Sequence, residues 1–455
     1  MVDRAQGRLK PRVAVIGGGW AGCAAALALA DGGCHVTLLE AGATLGGRAR
    51  RVRSDGFLLD NGQHLLLGAY QETLQAIERA HGTDSLPITL KPLALVPFSD
   101  RQANALRLEA RSWPPPFGLL AGLLLARGLS IAERIATVRA FARWRRASFR
   151  CGRRTTVADL MDGVPEAAAT RLWTPLCLAA LNTAPERASG QIFLNVLKAA
   201  FDGDADASKL VVTVGDLAAL FPDAAMRSLT AQGHDVITGA AARIAGFTPT
   251  GPEIVTAQGV HRPIAAVVAV GPHQLARAFT NEIASADADM AHAVAVVNEL
   301  EWEPIVTVYL GYEQLVSLPP GLVRLDDNPG QWIFDRRDVL ERPEGTAPAL
   351  ASLFSVVISA RGPHESLDRR ALVAAVDEQL KRLRPSWPTL AWSQVITEKR
   401  ATYSCTPAAF RPVVGRLRAG VYLAGDYTDA DLPATLEAAV RTGNAAAAMV
   451  VRDIY

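Results

Sequence analysis

The run Val13-Ala14-Val15-Ile16, closed by Gly17-Gly18-Gly19-Trp20-Ala21-Gly22, constrains this chain more than any other feature. Four consecutive apolar residues are the pattern of a strand buried on both faces of a parallel sheet. The glycines at 17, 19 and 22 fit G-x-G-x-x-G, and each has a physical task. Gly17 permits the tight turn. Gly19 has no Cβ, so the N–H groups that open the next helix, at Trp20 and Ala21, can approach a pyrophosphate. Gly22 lets helix and strand pack closely. Small residues follow to Asp31, and a second strand, His35-Val36-Thr37-Leu38-Leu39, ends at Glu40. The helix N-terminus would face the phosphates with its partial positive charge, and Glu40 would accept from the ribose hydroxyls. G-x-G-x-x-G alone is weak; strand, glycine turn, alanine-rich helix, strand and acid in one βαβ unit is specific. The expected fold class is α/β, with a Rossmann-type parallel sheet that binds a dinucleotide.

The residues after Glu40 indicate which dinucleotide. A second glycine pair followed by arginine, Gly46-Gly47-Arg48, is unusual for a nicotinamide enzyme. It resembles the flavoprotein amine oxidase and carotenoid desaturase superfamily, where this string lies over the FAD pyrophosphate. The far end of the chain carries an independent match. Val421-Tyr422-Leu423-Ala424 reads as a strand ending in Gly425-Asp426. In the superfamily this Gly-Asp touches the ribitol and pyrophosphate. The next helix opens at Thr435-Leu436, and the resemblance aims its N-terminus at the flavin pyrimidine ring, where the helix dipole would stabilise negative charge. Ala438 stands where many relatives have glycine.

Composition narrows the partners. The chain has 455 residues, long enough for two or three compact units, and a net charge of +2, which argues against nucleic acid. Its five cysteines form no C-x-x-C pair, so the reading is a reducing compartment without disulfides, and no metal spacing is present. The first apolar run is already the Rossmann strand, and no stretch suits a bilayer span, so a cytoplasmic location is expected.

Texture divides the chain. Residues 1–75, 206–280 and 396–455 read as the FAD-binding domain. Residues 76–205, mostly helical, and 281–395, sheet with helices, read as a substrate-binding domain inserted in two pieces. Strand-like runs stand at 234–238, 266–270, 305–310 and 353–358. Within 112–154, a proline brake at 114–116 precedes a dense apolar run, and residues 127–154 hold nine arginines and one acid, Glu133, interleaved with Phe141, Trp144 and Phe149. An apolar hairpin beside a basic, aromatic-bearing helix reads as a contact with the inner membrane face. The plainer reading is a core helix pair with a solvated basic face. An arginine stripe for nucleic acid lacks any accompanying binding module.

Four longer strings narrow the resemblance: Asp60-Asn61-Gly62-Gln63-His64, residues 173–189, residues 215–223, and Glu398-Lys399-Arg400-Ala401-Thr402-Tyr403 with Arg411-Pro412. They are similar to the squalene-associated FAD-dependent desaturases, the hydroxysqualene dehydroxylases, over nearly the whole chain. The resemblance implies FAD, a hydroxysqualene substrate, and hydride delivery from reduced flavin to an allylic carbon that has lost its hydroxyl. An apolar tunnel would hold the chain and keep water from the cation. The segment matching Gly62-Gln63-His64 lies near the flavin, so His64 is the candidate general acid with Asp60 to orient it. The alternative is that Asp60 caps the turn and His64 only hydrogen-bonds backbone or flavin. Tyr403 and Cys405 are expected to line the substrate end as wall. Asn182 either meets the substrate hydroxyl or ends a helix. The electron donor stays open, since no second G-x-G-x-x-G follows a strand. Other readings are a phytoene-type desaturase, an amine oxidase, or a flavin-bearing carrier of isoprenoids.

Overall fold

A computed structural model describes residues 10–102, 105–111, 113, 117–204, 206–340, 349–407, 409, 411–412 and 415–455. The proline brake at 114–116 lies outside these residues. Strand β1 (Arg12–Ile16) is the middle of a six-stranded sheet. Its apolar residues are completely covered, as their uninterrupted run requires. β1 pairs in parallel with β2 (His35–Leu39) on one side and Ala265–Val268 on the other. Asp235–Ile237 and Val421–Leu423 extend the sheet in parallel, and Gly415–Arg418 closes it antiparallel. One sheet therefore draws strands from the beginning, middle and end of the chain.

Helix α1 (Trp20–Asp31) follows β1 and is buried on nearly every side. A helix enclosed all round needs small side chains, which accounts for its alanines. The closing helix, Leu436–Ile454, packs directly on it. A Cβ on Gly443 would come within 2.2 Å of the Ala21 carbonyl oxygen, so this crossing admits only glycine.

The second sheet has seven strands, ordered Trp392–Tyr403, Trp302–Tyr312, Ser352–Ser359, Trp332–Asp335, Leu322–Arg324, Ala94–Pro97 and Leu108–Glu109. One face packs Val306, Val308, Val356 and Ile358 against helix Arg369–Leu383. The other face looks toward helices Thr174–Leu181 and Gly190–Phe201. Two details depart from expectation. The region 76–205 supplies strands Ile88–Lys91, Ala94–Pro97 and Leu108–Glu109, too short to show a period of two. Trp392–Tyr403 runs through the expected boundary at 395–396 and belongs to the second sheet throughout.

The segment between 113 and 154 contains helices Phe117–Leu125 and Ile131–Arg146. The second starts at a reciprocal cap: Glu133 N–H donates to Ser130 Oγ, and Ser130 N–H donates to Glu133 Oε2. Phe141, Trp144 and Phe149, expected at a lipid interface, are instead buried in the helical core with Trp173 and Phe201. The exposed apolar groups are others: Trp113, Phe117, Leu124, Leu125, Ile131 and Ile135.

Candidate active site

The turn after β1 is built as its glycines require. Gly17 has φ +104°, and a Cβ there would meet the Ala269 carbonyl oxygen at 2.7 Å. A Cβ on Gly22 would stand 1.8 Å from the Gly17 carbonyl oxygen. Gly19 is different: a Cβ there would find only Gly47 Cα, at 3.9 Å. The backbone is thus open where a pyrophosphate would lie, at the N-terminus of α1. Gly46 N–H donates to Gly18 O at 2.8 Å, which lays the second glycine pair beside the first. Glu40 accepts from Gly18 N–H at 2.6 Å and Gly42 N–H at 2.7 Å, so its carboxylate both shapes the loop and keeps lone pairs for a ribose. Trp20 offers its backbone rather than its ring. The indole packs on Phe221 with centroids 5.0 Å apart and donates to Ala49 O.

Arg48 ties the two ends of the chain together. Its guanidinium donates to Asp426 Oδ1 at 2.5 Å and to Ala401 O at 2.9 Å. Burial works against its charge, but Asp426 outweighs that and raises the arginine pKa. Asn61 donates to Arg48 O and to Glu398 Oε2. Gly425, at φ +148°, donates its N–H to Thr442 Oγ1. Thr435 caps the closing helix by accepting from Ala438 N–H at 3.2 Å. Small residues at the pyrophosphate position, a ribose carboxylate, and a capped helix N-terminus suit the two halves of FAD.

These motif residues form one end of a cavity of about 360 Å³. Arg48, Asn61, Gly62, Gln63, His64 and Thr435 to Glu437 line that end. The rest is mostly apolar, with Leu93, Phe193, Leu197, Leu322, Trp332 and Val357 among its walls and polar groups at Tyr70, Asn182, Ser359, Glu398, Thr402 and Arg441.

The expected catalytic pair is not assembled as a pair. Asp60 turns away from His64: Oδ2 accepts from Arg336 Nη1 at 2.7 Å and Oδ1 from Leu217 N–H at 2.9 Å. The Asp60–Arg336 ion pair is almost completely buried. Asp60 therefore anchors the loop rather than orienting an imidazole. His64 does reach the cavity, but its Nδ1 lies 2.9 Å from Gly62 O, which assigns the proton to Nδ1 and leaves Nε2 an acceptor. Burial lowers its pKa, against the charged form that a general acid would need.

The other expected lining residues divide. Tyr403 and Cys405 do not line the cavity. The Tyr403 phenol receives Arg411 Nη1 at 2.6 Å, and Cys405 is packed in the helical core. Burial pushes the Cys405 thiol up to about 12, so it stays protonated. Asn182 is on the wall, but it is a left-handed helix end at φ +48°. Its amide is fully engaged, donating to Thr402 Oγ1 at 3.0 Å and accepting from Ala360 N–H at 2.6 Å. Glu398 belongs to one of the strings singled out above, whereas two further charged groups of the site, Arg336 and Glu437, were not candidates from the sequence. Glu437 lines the cavity, accepts from Glu72 N–H at 3.1 Å and Thr73 N–H at 2.9 Å, and is raised in pKa chiefly by burial. Only its place in the first turn after Thr435 could have pointed to it.

A dinucleotide turn, a ribose carboxylate, a late Gly-Asp and an apolar cavity at their junction define a FAD-dependent oxidoreductase. The profile of the family Flavin containing amine oxidoreductase matches residues 20–451, and the chain belongs to that family. It is 28% identical to the hydroxysqualene dehydroxylase of Rhodopseudomonas palustris, over 96% of this chain and 98% of that protein. It is 23% identical to the same-named protein of Zymomonas mobilis, over 95% and 97%. Among solved structures, an oxidoreductase from Methanosarcina mazei superposes with TM-score 0.72 at 15% identity, over 95% of this chain and 99% of that one. Cyclohexylamine oxidase from Brevibacterium oxydans gives 0.68 at 18% identity, over 98% and 100%. These last two likenesses bear on the fold.

Proposed function

We propose that this chain reduces hydroxysqualene to squalene, replacing an allylic hydroxyl with hydride. The observation that carries the reading is the cavity, with the FAD-motif residues at one end and mostly apolar walls elsewhere. The named relatives share the chain over almost its whole length, which directs the choice of substrate. Reduced FAD would supply the hydride. The protein's own tasks are to seat the chain, exclude water and move one proton. Burial of apolar groups, at ~0.8 kcal/mol per CH2, favours a long hydrocarbon in the leucine- and phenylalanine-lined part. Loss of the hydroxyl leaves a delocalised allylic cation, which the dry walls would protect from recapture. His64 Nε2, an acceptor, would take a hydrogen bond from the substrate hydroxyl and orient it. Glu437, a buried carboxyl whose pKa is raised, is the group best suited to give up the proton.

Anaerobic mixing of dithionite-reduced protein with hydroxysqualene tests this, with products identified by mass. Squalene is the expected product. No squalene, together with desaturation of phytoene by the oxidised protein, would replace this reading with a desaturase.

A substrate this apolar leaves a membrane slowly, so we also propose that the enzyme works at a bilayer surface. Helix Phe117–Leu125 has no polar side chain, yet Phe117, Leu124 and Leu125 are exposed, with Trp113 and Ile131 alongside. A helix apolar all round is ordinarily covered. Exposed arginines at 127, 139, 143 and 146 suit anionic headgroups. Among the described residues no helix is long and apolar enough to cross a membrane.

A further inference from the structure

Two hydroxyls stand in the mostly apolar wall of the cavity, at Ser359 and Thr402. Ile305 is in register with Ser359 on one neighbouring strand and with Glu398 on the other, and all three line the cavity. Cross-strand partners share a face, so Ser359 presents its side chain on the cavity side of the sheet. Its backbone is already served. Ser359 N–H donates to Gln331 Oε1 at 2.9 Å, and Gln331 Nε2 donates to Ser359 O at 3.2 Å. The side chain is not: among the described residues Ser359 Oγ has no hydrogen-bond partner, although the residue is only 8% exposed.

Thr402 sits on a bulge of the next strand but one. The register of strand Trp392–Tyr403 slips between Glu303 and Ile305, so Thr402 rather than Arg400 lies opposite Glu303. The bulge brings two consecutive residues, Ala401 and Thr402, to the cavity. Ala401 O takes Arg48 Nη1 at 2.9 Å, which sets Thr402 beside the flavin end. Asn182 ties the two hydroxyl-bearing segments together. Its Nδ2 donates to Thr402 Oγ1 at 3.0 Å, and its Oδ1 accepts at 2.6 Å from the N–H of Ala360, the residue after Ser359. Because Thr402 Oγ1 already accepts, its own hydrogen is left to donate, and among the described residues no acceptor for it lies within reach.

A hydrocarbon lying on this wall covers two hydroxyls and satisfies neither, whereas an oxygen on the chain receives their hydrogens. We propose that Ser359 and Thr402 are specificity-determining residues: they donate to the oxygen of a bound isoprenoid alcohol, and the hydrocarbon that remains once this oxygen has left as water is held less tightly and is released. This rests on the reading of the cavity as the site of a hydroxylated isoprenoid. His64 Nε2 is an acceptor, so the wall supplies the donors that His64 does not.

The test uses FAD-loaded, oxidised protein with hydroxysqualene or squalene added in detergent, and binding is read from perturbation of the flavin absorption spectrum. The wild type should bind the alcohol about tenfold or more tightly than the hydrocarbon, as two hydrogen bonds allow. Ser359→Ala and Thr402→Val should each weaken the alcohol by about 3- to 10-fold and leave squalene unchanged or tighter. In turnover the same change appears as a higher KM and stronger inhibition by squalene. Thr402→Ser, which keeps the hydroxyl, should keep the preference. Equal binding of the two ligands by the wild type overturns the proposal. So does an equal loss of both ligands in the variants, the sign of a wall residue that only packs. Should Thr402→Val fail to hold FAD, Ser359→Ala decides by itself. Binding of neither ligand removes the isoprenoid reading of the cavity and the proposal with it. A preference that the variants abolish, in a protein that does not convert hydroxysqualene, keeps the recognition of oxygen and discards the reaction.

Discussion

At the scale of single residues, Glu40 and Glu437 carry the sharpest expectations. Glu40 holds two loop amides and is the proposed ribose acceptor, so Glu40→Ala should weaken FAD binding by about 10- to 100-fold, one to two charge-assisted hydrogen bonds. Flavin-to-protein ratio after gel filtration reads this, and full occupancy in the variant would remove Glu40 from the site. Glu437→Gln should keep the yellow colour and slow squalene formation by roughly 100-fold or more, the ordinary worth of an acid catalyst. His64→Ala should slow it less and raise the substrate KM, since a neutral acceptor orients rather than protonates. Equal losses in both variants would contradict that division. Glu40 was legible in the sequence because the βαβ unit fixes the position of its acid. Glu437 was not, because a carboxylate in a helix first turn is usually an exposed response to the helix dipole, and only tertiary packing turns it into the cavity.

Between elements, fit and charge decide. Gly443→Ala would drive a methyl into the Ala21 carbonyl and push the closing helix off α1, costing about 1–3 kcal/mol. Thermal melting of the FAD-loaded protein checks this, and an unchanged midpoint would mean that the helices have room to separate. The buried Asp60–Arg336 pair joins the loop before His64 to the end of strand Trp332–Asp335. Removing one partner leaves an uncompensated buried charge, so Arg336→Met should destabilise by about 3–5 kcal/mol, and the double change with Asp60→Leu should recover much of it. Helix Phe117–Leu125 should carry the membrane contact: Leu125→Ser with Ile131→Ser should reduce co-flotation with anionic vesicles by about tenfold or more. Retained flotation would contradict it. The apolar run of this helix was plain in the sequence, but the faces were not. A basic, aromatic-bearing helix reads alike whether its aromatics meet lipid or core, and Phe141 and Trp144 meet core. The long strands Trp302–Tyr312 and Ser352–Ser359 showed through their apolar runs. Ala94–Pro97 is held by Leu322–Arg324, far along the chain, and Leu108–Glu109 is only two residues long, so no local pattern marks them.

For the whole molecule, the joining of the chain's ends was readable, since the glycine turn and the late Gly-Asp match one nucleotide-binding pattern, and Arg48 does pair with Asp426. The shape of the cavity was not, because its walls come from many separate stretches of the chain. Acid sensitivity is a property at this scale. His64, His234, His273 and His364 are each held below the ordinary value of 6.5, with burial the foremost cause. Below that value the unfolded chain binds more protons than the folded one. Stability is therefore complete above 6.5 and is lost as pH falls through it toward the lowered folded pKa values. The melting temperature should fall by a few degrees between about pH 7.5 and about pH 5.5, before most carboxylates titrate. A flat profile across that range would contradict it. The central claim is that both ends of the chain hold one flavin whose hydride enters an apolar cavity and replaces an allylic hydroxyl. It is tested most directly by a single anaerobic turnover of hydroxysqualene in D2O with reduced protein, where the transferable hydrogen on the flavin exchanges with solvent. The account expects squalene carrying one deuterium, formed in proportion to the flavin reoxidised; recovered hydroxysqualene, or squalene without deuterium, would contradict it.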